Sequence, residues 1–227
     1  MKAIPSAPTI AQIIAGTAIL AWAAVVGTDL RDTDPIETRG GARFSTRIEL
    51  PVTLMRQGDE RWAAEQLGPT ASTIESEGCA VASAAMALAF HGTTTDPSRL
   101  NRALTATPGG FTTNGWLYWE KAALSVNAPV VHAYEGPARY RLIDRNLARA
   151  NPTIARVRLP SGTTHFVVIC GKDKDQYLVR DPGAGQARHL SELLGPLEAV
   201  RFYLPKPAVH FGNRADNSDK LAPSSES

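Results

Sequence analysis

The order of elements along the chain predicts an α+β domain, with N-terminal helices packed on a C-terminal antiparallel sheet. Helical signals fall mainly between residues 78 and 126, whereas segments rich in β-branched and aromatic residues fall mainly between residues 129 and 204. A run of helices followed by a run of strands is the α+β pattern, not the alternating α/β one. Two of the strand segments are joined by Gly171–Asp175, a short glycine-containing connection of the kind that closes antiparallel hairpins.

The first elements concern location. Residues 9–27 are uncharged and mostly apolar, and about 20 such residues span a bilayer once. Lys2 precedes this run, while Asp29, Asp32, Asp34 and Glu37 follow it, which favours the N-terminus inside and the body outside. A cleaved signal peptide, with Ala21-Trp22-Ala23 as a small-x-small site, is the alternative over residues 1–27. Both readings export the domain, so the expected location is extracytoplasmic, with residues 9–27 as the membrane anchor. Residues 28–42 are charged and contain Pro35 and Gly40-Gly41, which reads as a linker. The domain then occupies residues 43–205, and residues 206–227, poor in apolar side chains, read as a disordered tail.

Within the domain, Ile48–Leu54 is a short strand candidate interrupted by Pro51, and Trp62–Leu67 a helical turn ended by Gly68-Pro69. Gly78 to Phe90 is Ala-rich, has high helix propensity and is apolar on every side, which predicts a central helix wrapped by other elements. Gly92 stops it. Asp96-Pro97 opens a further helix to about Leu104 by a cap followed by proline. Thr105–Asn114 is a loop, Trp116–Val126 is helical, and Ala138–Ala150 is a basic amphipathic helix whose inner face is Tyr140, Leu142, Ile143 and Leu147. Pro129–Tyr134, Thr153–Leu159, His165–Cys170, Gln176–Arg180 and Ala199–Leu204 read as strands.

The totals exclude several functions. A length of 227 residues with 43% hydrophobic and 20% charged residues is ordinary globular composition with room for one sizeable domain. A net charge of +2, with no basic run, gives no argument for nucleic acid. Two cysteines are too few for a disulfide framework, and the five histidines show no metal-type spacing. No phosphate-binding loop occurs, so neither nucleotide nor other cofactor is expected.

The remaining chemistry centres on Cys79. A cysteine on the first turn of a helix sits where the dipole and free N–H groups favour thiolate; the alternative is a small hydrophobe opening a core helix. The predicted hairpin adds two polar groups. Centred on Asp173, it pairs residue 170 with 176 and His165 with Asp181, and directly opposite side chains lie ~4.5–5.5 Å apart at Cβ. A carboxylate there can orient an imidazole; the alternative is a strand-end histidine beside an Asp-Pro-Gly turn. Cysteine on an early helix, histidine on a later strand and an acid one strand beyond is the order of a Cys-His-Asp hydrolase. Cys170 falls on the opposite strand face from His165, roughly 16 Å along at ~3.3 Å per residue, and reads as a core thiol.

At these residues the chain resembles the papain-like cysteine peptidases. Within them it is similar to family thirty-nine, the bacteriocin-processing or double-glycine leader peptidases and their stand-alone relatives. The matching pieces are Gln57 to Trp62, Glu77-Gly78-Cys79-Ala80-Val81, Phe90-His91-Gly92, Pro97 to Leu104, Gly110 to Trp119, Thr164 to Val168 and Asp181-Pro182, in order over about residues 50 to 204. The resemblance implies a papain-like fold and thiol-dependent hydrolysis of peptide or amide bonds in a peptide or protein substrate. The family carries an oxyanion-hole glutamine about six residues before its cysteine, and Thr73 occupies that position. Gln57 is the candidate replacement, with Gln66 behind it; without a side-chain donor the rate falls on the order of 10²–10³. The alternatives are an impaired papain-fold binding protein, which a missing donor favours, and acyl transfer to an amine by the same triad. No transporter or ATPase motif accompanies the domain, so leader processing does not carry over.

Overall fold

Helix α2 (Cys79–Phe90) is the centre of the molecule because its sequence leaves no polar face. Val81 through Leu88 are all buried, so the helix is enclosed on every side. The computed structural model describes residues 34–183 and 187–207. The remaining elements are β1 (Arg39–Glu49), α1 (Ile74–Glu77), α3 (Pro97–Ala106), α4 (Trp119–Ser125), β2 (Val130–Pro137), α5 (Tyr140–Ala148), β3 (Thr153–Arg158), β4 (Thr164–Arg180), a single 3₁₀ turn (Leu190–Leu193) and β5 (Leu197–Pro205). The five strands form one antiparallel sheet in the order β1-β4-β3-β5-β2. Helix α2 packs on β4, and α3 and α4 close around it. The α+β class and the antiparallel sheet are those the sequence predicts.

Local rules explain most element boundaries. Asp96 caps α3 by accepting from the Arg99 N–H at 2.8 Å, and Pro97 takes the first helical position, where its missing N–H costs nothing. Helix α5 turns Ile143 and Leu147 inward at helical spacing. Helix α4 begins at Trp119, not Trp116, because residues 111 and 117 bridge to each other in extended conformation.

Three expectations are corrected. The stretch read as a linker contains regular structure: Ile36 exchanges backbone hydrogen bonds with Leu197, and β1 starts at Arg39. The Gly40-Gly41 pair is not a flexible joint. A Cβ at Gly40 would meet the Tyr140 ring at 2.6 Å, and one at Gly41 would overlap Asp144, so the glycines let β1 lie directly against α5. Second, the strand proposed for Ile48–Leu54 ends at Glu49, and the true strand lies upstream. It buries only Gly40, Phe44 and Ile48 partly, every fourth residue, and its pairing with β4 shifts register twice. The rest of this edge strand, including Arg39, Arg43 and Arg47, is exposed.

Third, the five-residue loop at Gly171–Asp175 is absent, since β4 runs unbroken through it. The strand still reverses. Cys170 Sγ lies 3.6 Å from the Leu178 carbonyl oxygen and Lys172 Nζ 3.1 Å from Tyr177 Oη, separations that a straight strand at ~3.3 Å per residue cannot give. Lys174, with φ of 55°, sits at the tip.

The anchor or signal read over residues 1–27 and nearly all of the tail lie outside the described residues. Among the described residues no helix is long and apolar enough to cross a membrane.

Candidate active site

Cys79 is placed by the junction of two helices. Only Gly78 separates α1 from α2; its N–H donates to the Ile74 carbonyl at 2.8 Å, and a Cβ there would run into that same carbonyl oxygen. Glycine is therefore a packing requirement, and it sets Cys79 as the first residue of α2, half-buried with a free thiol.

His165 and Asp181 come from the two arms of the reversed β4. His165 pairs with Val157 of β3, and Asp181 follows the last residue of the strand. Their side chains meet at 2.7 Å between Nε2 and Oδ1, in a setting that leaves 13% of the histidine side chain and 3% of the aspartate exposed. Asp181 is fixed from two further directions: its Oδ1 accepts from the Gly183 N–H at 2.8 Å and its Oδ2 from the Ala187 N–H at 3.0 Å. On the other side of the ring the Cys79 thiol shares the cleft with His165 and acts to raise the imidazole. Because Nε2 is taken by Asp181, Nδ1 is the ring nitrogen left for the thiol.

The electrostatics follow from these contacts. Burial alone pulls the His165 imidazole down, but the Asp181 hydrogen bond and the Cys79 thiol outweigh it and hold the group up at about 9. Burial likewise pushes the Asp181 carboxyl up, and the hydrogen bonds from His165 and Gly183 overcome it, leaving the group below its ordinary value. The arrangement holds a proton on the imidazole and a charge on the carboxylate.

Gln57 reaches the same cleft from the loop after β1. Its backbone N–H donates to the Pro182 carbonyl at 2.9 Å, and its side-chain Nε2 donates to the Glu75 carbonyl at 2.5 Å. One of the two amide N–H groups is thus spent, and one remains. Gln57, Cys79 and His165 line one cavity of about 380 Å³. Thr73 does not: it caps α1, its hydroxyl accepting from the Ser76 N–H at 3.3 Å, and it lines a different concavity together with Gln66. The cleft also contains Glu77, Asn114 and Trp116, to which sequence reasoning assigned no role. Glu77 and Trp116 fall in matched segments flanking Cys79 and the Thr105–Asn114 loop, so position was their only signal.

The chain matches no curated protein sequence. Among solved structures, a Bacillus anthracis protein described as a C39-like peptidase shares 15% identity, with 71% of this chain and 99% of that one covered and a TM-score of 0.43, a likeness too distant to argue from. The Peptidase C39-like family matches residues 49–195, which include Gln57, Cys79, His165 and Asp181. That match spans most of the described residues, and the chain belongs to the Peptidase C39-like family.

Proposed function

We propose that this protein hydrolyses peptide or amide bonds with Cys79 as nucleophile, His165 as acid and base, and Asp181 as the group that orients His165. The observation that carries the reading is the position of His165, hydrogen-bonded to Asp181 through Nε2 at 2.7 Å while it lines one cleft with Cys79. In the first step the Cys79 thiolate attacks the substrate carbonyl carbon. The oxyanion is held by the Cys79 backbone N–H and the unspent amide N–H of Gln57. The His165 imidazolium passes its proton to the leaving amine, leaving a thioester on Cys79. Neutral His165 then takes a proton from water, the resulting hydroxide attacks the thioester, and the thiolate departs with the acid product. Asp181 keeps the ring in one tautomer and stabilises its charged form throughout. Gln57 supplies the donor missing at Thr73 and so supports turnover over an impaired binding site. The peptide or protein substrate is met outside the cytoplasm, with residues 9–27 tethering the domain to the membrane.

Labelling with iodoacetamide at neutral pH, followed by peptide mapping, tests the chemistry. Cys79 should react many times faster than a free thiol, and His165→Ala should abolish the excess. Equal rates in both proteins would end the peptidase reading. Membrane fractionation with external protease tests the location; full protection from protease in intact cells would refute export.

A further inference from the structure

The cleft that holds Cys79 and His165 contains one carboxylate, Glu77, and no lysine or arginine. Glu77 is exposed and, among the described residues, its side chain makes neither an ion pair nor a hydrogen bond. It stands two residues before the nucleophile with no structural partner, so its field falls on whatever enters the cleft.

Trp116 lines the same space with 49% of its surface exposed. Its position is built. The Thr112 N–H donates to the Trp116 carbonyl at 2.8 Å, the Trp116 N–H returns to the Thr112 hydroxyl at 3.0 Å, and the Gly115 N–H donates to the Thr112 carbonyl at 3.0 Å. Gly115 has φ of 78°, and a Cβ there would meet the Thr70 methyl at 2.6 Å, so no other residue closes this turn without displacement. Phe166 supports the indole edge-to-face, 6.1 Å between centroids. A large aromatic surface is thereby held out to solvent at the mouth of the cleft.

An unpaired carboxylate and a presented indole are complementary to one kind of side chain: a long apolar stem ending in a cation. We infer that the cleft selects peptides carrying a lysine or arginine beside the scissile bond, with Glu77 pairing the charge and Trp116 packing on the stem. This selectivity rests on the peptidase reading of the same cleft.

Two readouts separate the claims. The first is the rate at which Cys79 reacts with trimethylammonioethyl and sulfonatoethyl methanethiosulfonate, which share one warhead and differ in charge. The cationic reagent should win, and Glu77→Gln should cut the cation-to-anion rate ratio about 3- to 10-fold. The second is cleavage of a mixed peptide library read by mass spectrometry. Lysine and arginine should be enriched within two residues of the cut, and the enrichment should disappear in Glu77→Gln and weaken in Trp116→Ala. An unchanged rate ratio, or Cys79-dependent cleavage without basic enrichment, overturns the inference and leaves the peptidase reading standing. Absence of Cys79-dependent cleavage overturns both.

Discussion

Lys172 and Asp144 form a buried ion pair, 2.6 Å between Nζ and Oδ1, that locks β4 to α5. All three ammonium donors are used, because Nζ also reaches the Gly40 carbonyl at 2.8 Å and Tyr177 Oη at 3.1 Å. The Asp144 carboxylate in turn accepts from Tyr177 Oη at 2.8 Å and from the Ala42 N–H at 2.7 Å. Removing one partner strands the other charge without water. Asp144→Asn should therefore lower unfolding stability by about 3–5 kcal/mol in denaturant titration. The double variant Lys172→Met/Asp144→Leu should lose less than Asp144→Asn alone, since it removes both charges together.

The raised His165 and lowered Asp181 set the pH profile in opposite directions. A group raised from 6.5 to about 9 stabilises the fold fully below 6.5, and that contribution is lost as pH rises through about 9. Asp181 contributes above its ordinary value of 3.8 and loses that contribution as pH falls through its lower folded value. The acid proton on His165 goes with the same step, so kcat/KM should fall on the alkaline side near pH 9. In Asp181→Asn the hydrogen bond that opposes burial weakens, and the alkaline limb should move down by about one unit or more. Rate measurements across pH in both proteins check this.

The two thiols should separate cleanly by environment. Cys170 is fully buried, and burial pushes its thiol up to about 11, whereas Cys79 is half-buried on a helix start. Titration with Ellman's reagent at neutral pH should find one reactive thiol per native chain and two in denaturant. Cys79→Ala should leave none in the native protein.

The competing glutamines make different predictions. Gln57→Ala should lower kcat on the order of 10²–10³ with little change in KM, the signature of a contact made in the transition state. Gln66 donates to the Thr70 carbonyl at 2.7 Å and faces a separate concavity, so Gln66→Ala should leave both constants within about twofold. Steady-state kinetics on one peptide substrate decides between them.

Sequence periodicity recovered what short-range physics controls. The buried run of α2, the Asp96-Pro97 start of α3 and the inward face of α5 all depend on residues within a turn or two of each other. The approach of His165 and Asp181 is legible because one lies near the start of a reversing strand and the other directly follows its end. Strand β1 escaped because its burial repeats every four residues across two register shifts, which erases the two-residue alternation of a regular strand. Gln57 is legible only through the family resemblance, which asks for a donor away from Thr73. Its link to the Pro182 carbonyl spans 125 positions of sequence, and no local rule reports such a contact.

The same irregularity in β1 has a consequence for how molecules meet one another. An exposed sheet margin normally offers its free amides as a template for a neighbour's backbone. Here the margin bends at each register shift and carries the Arg39–Asp175 and Arg47–Glu49 ion pairs along its length, so a second copy laid alongside would face charged side chains on a broken lattice of donors and acceptors. Crowded on a surface, such domains would resist zipping into extended β-assemblies.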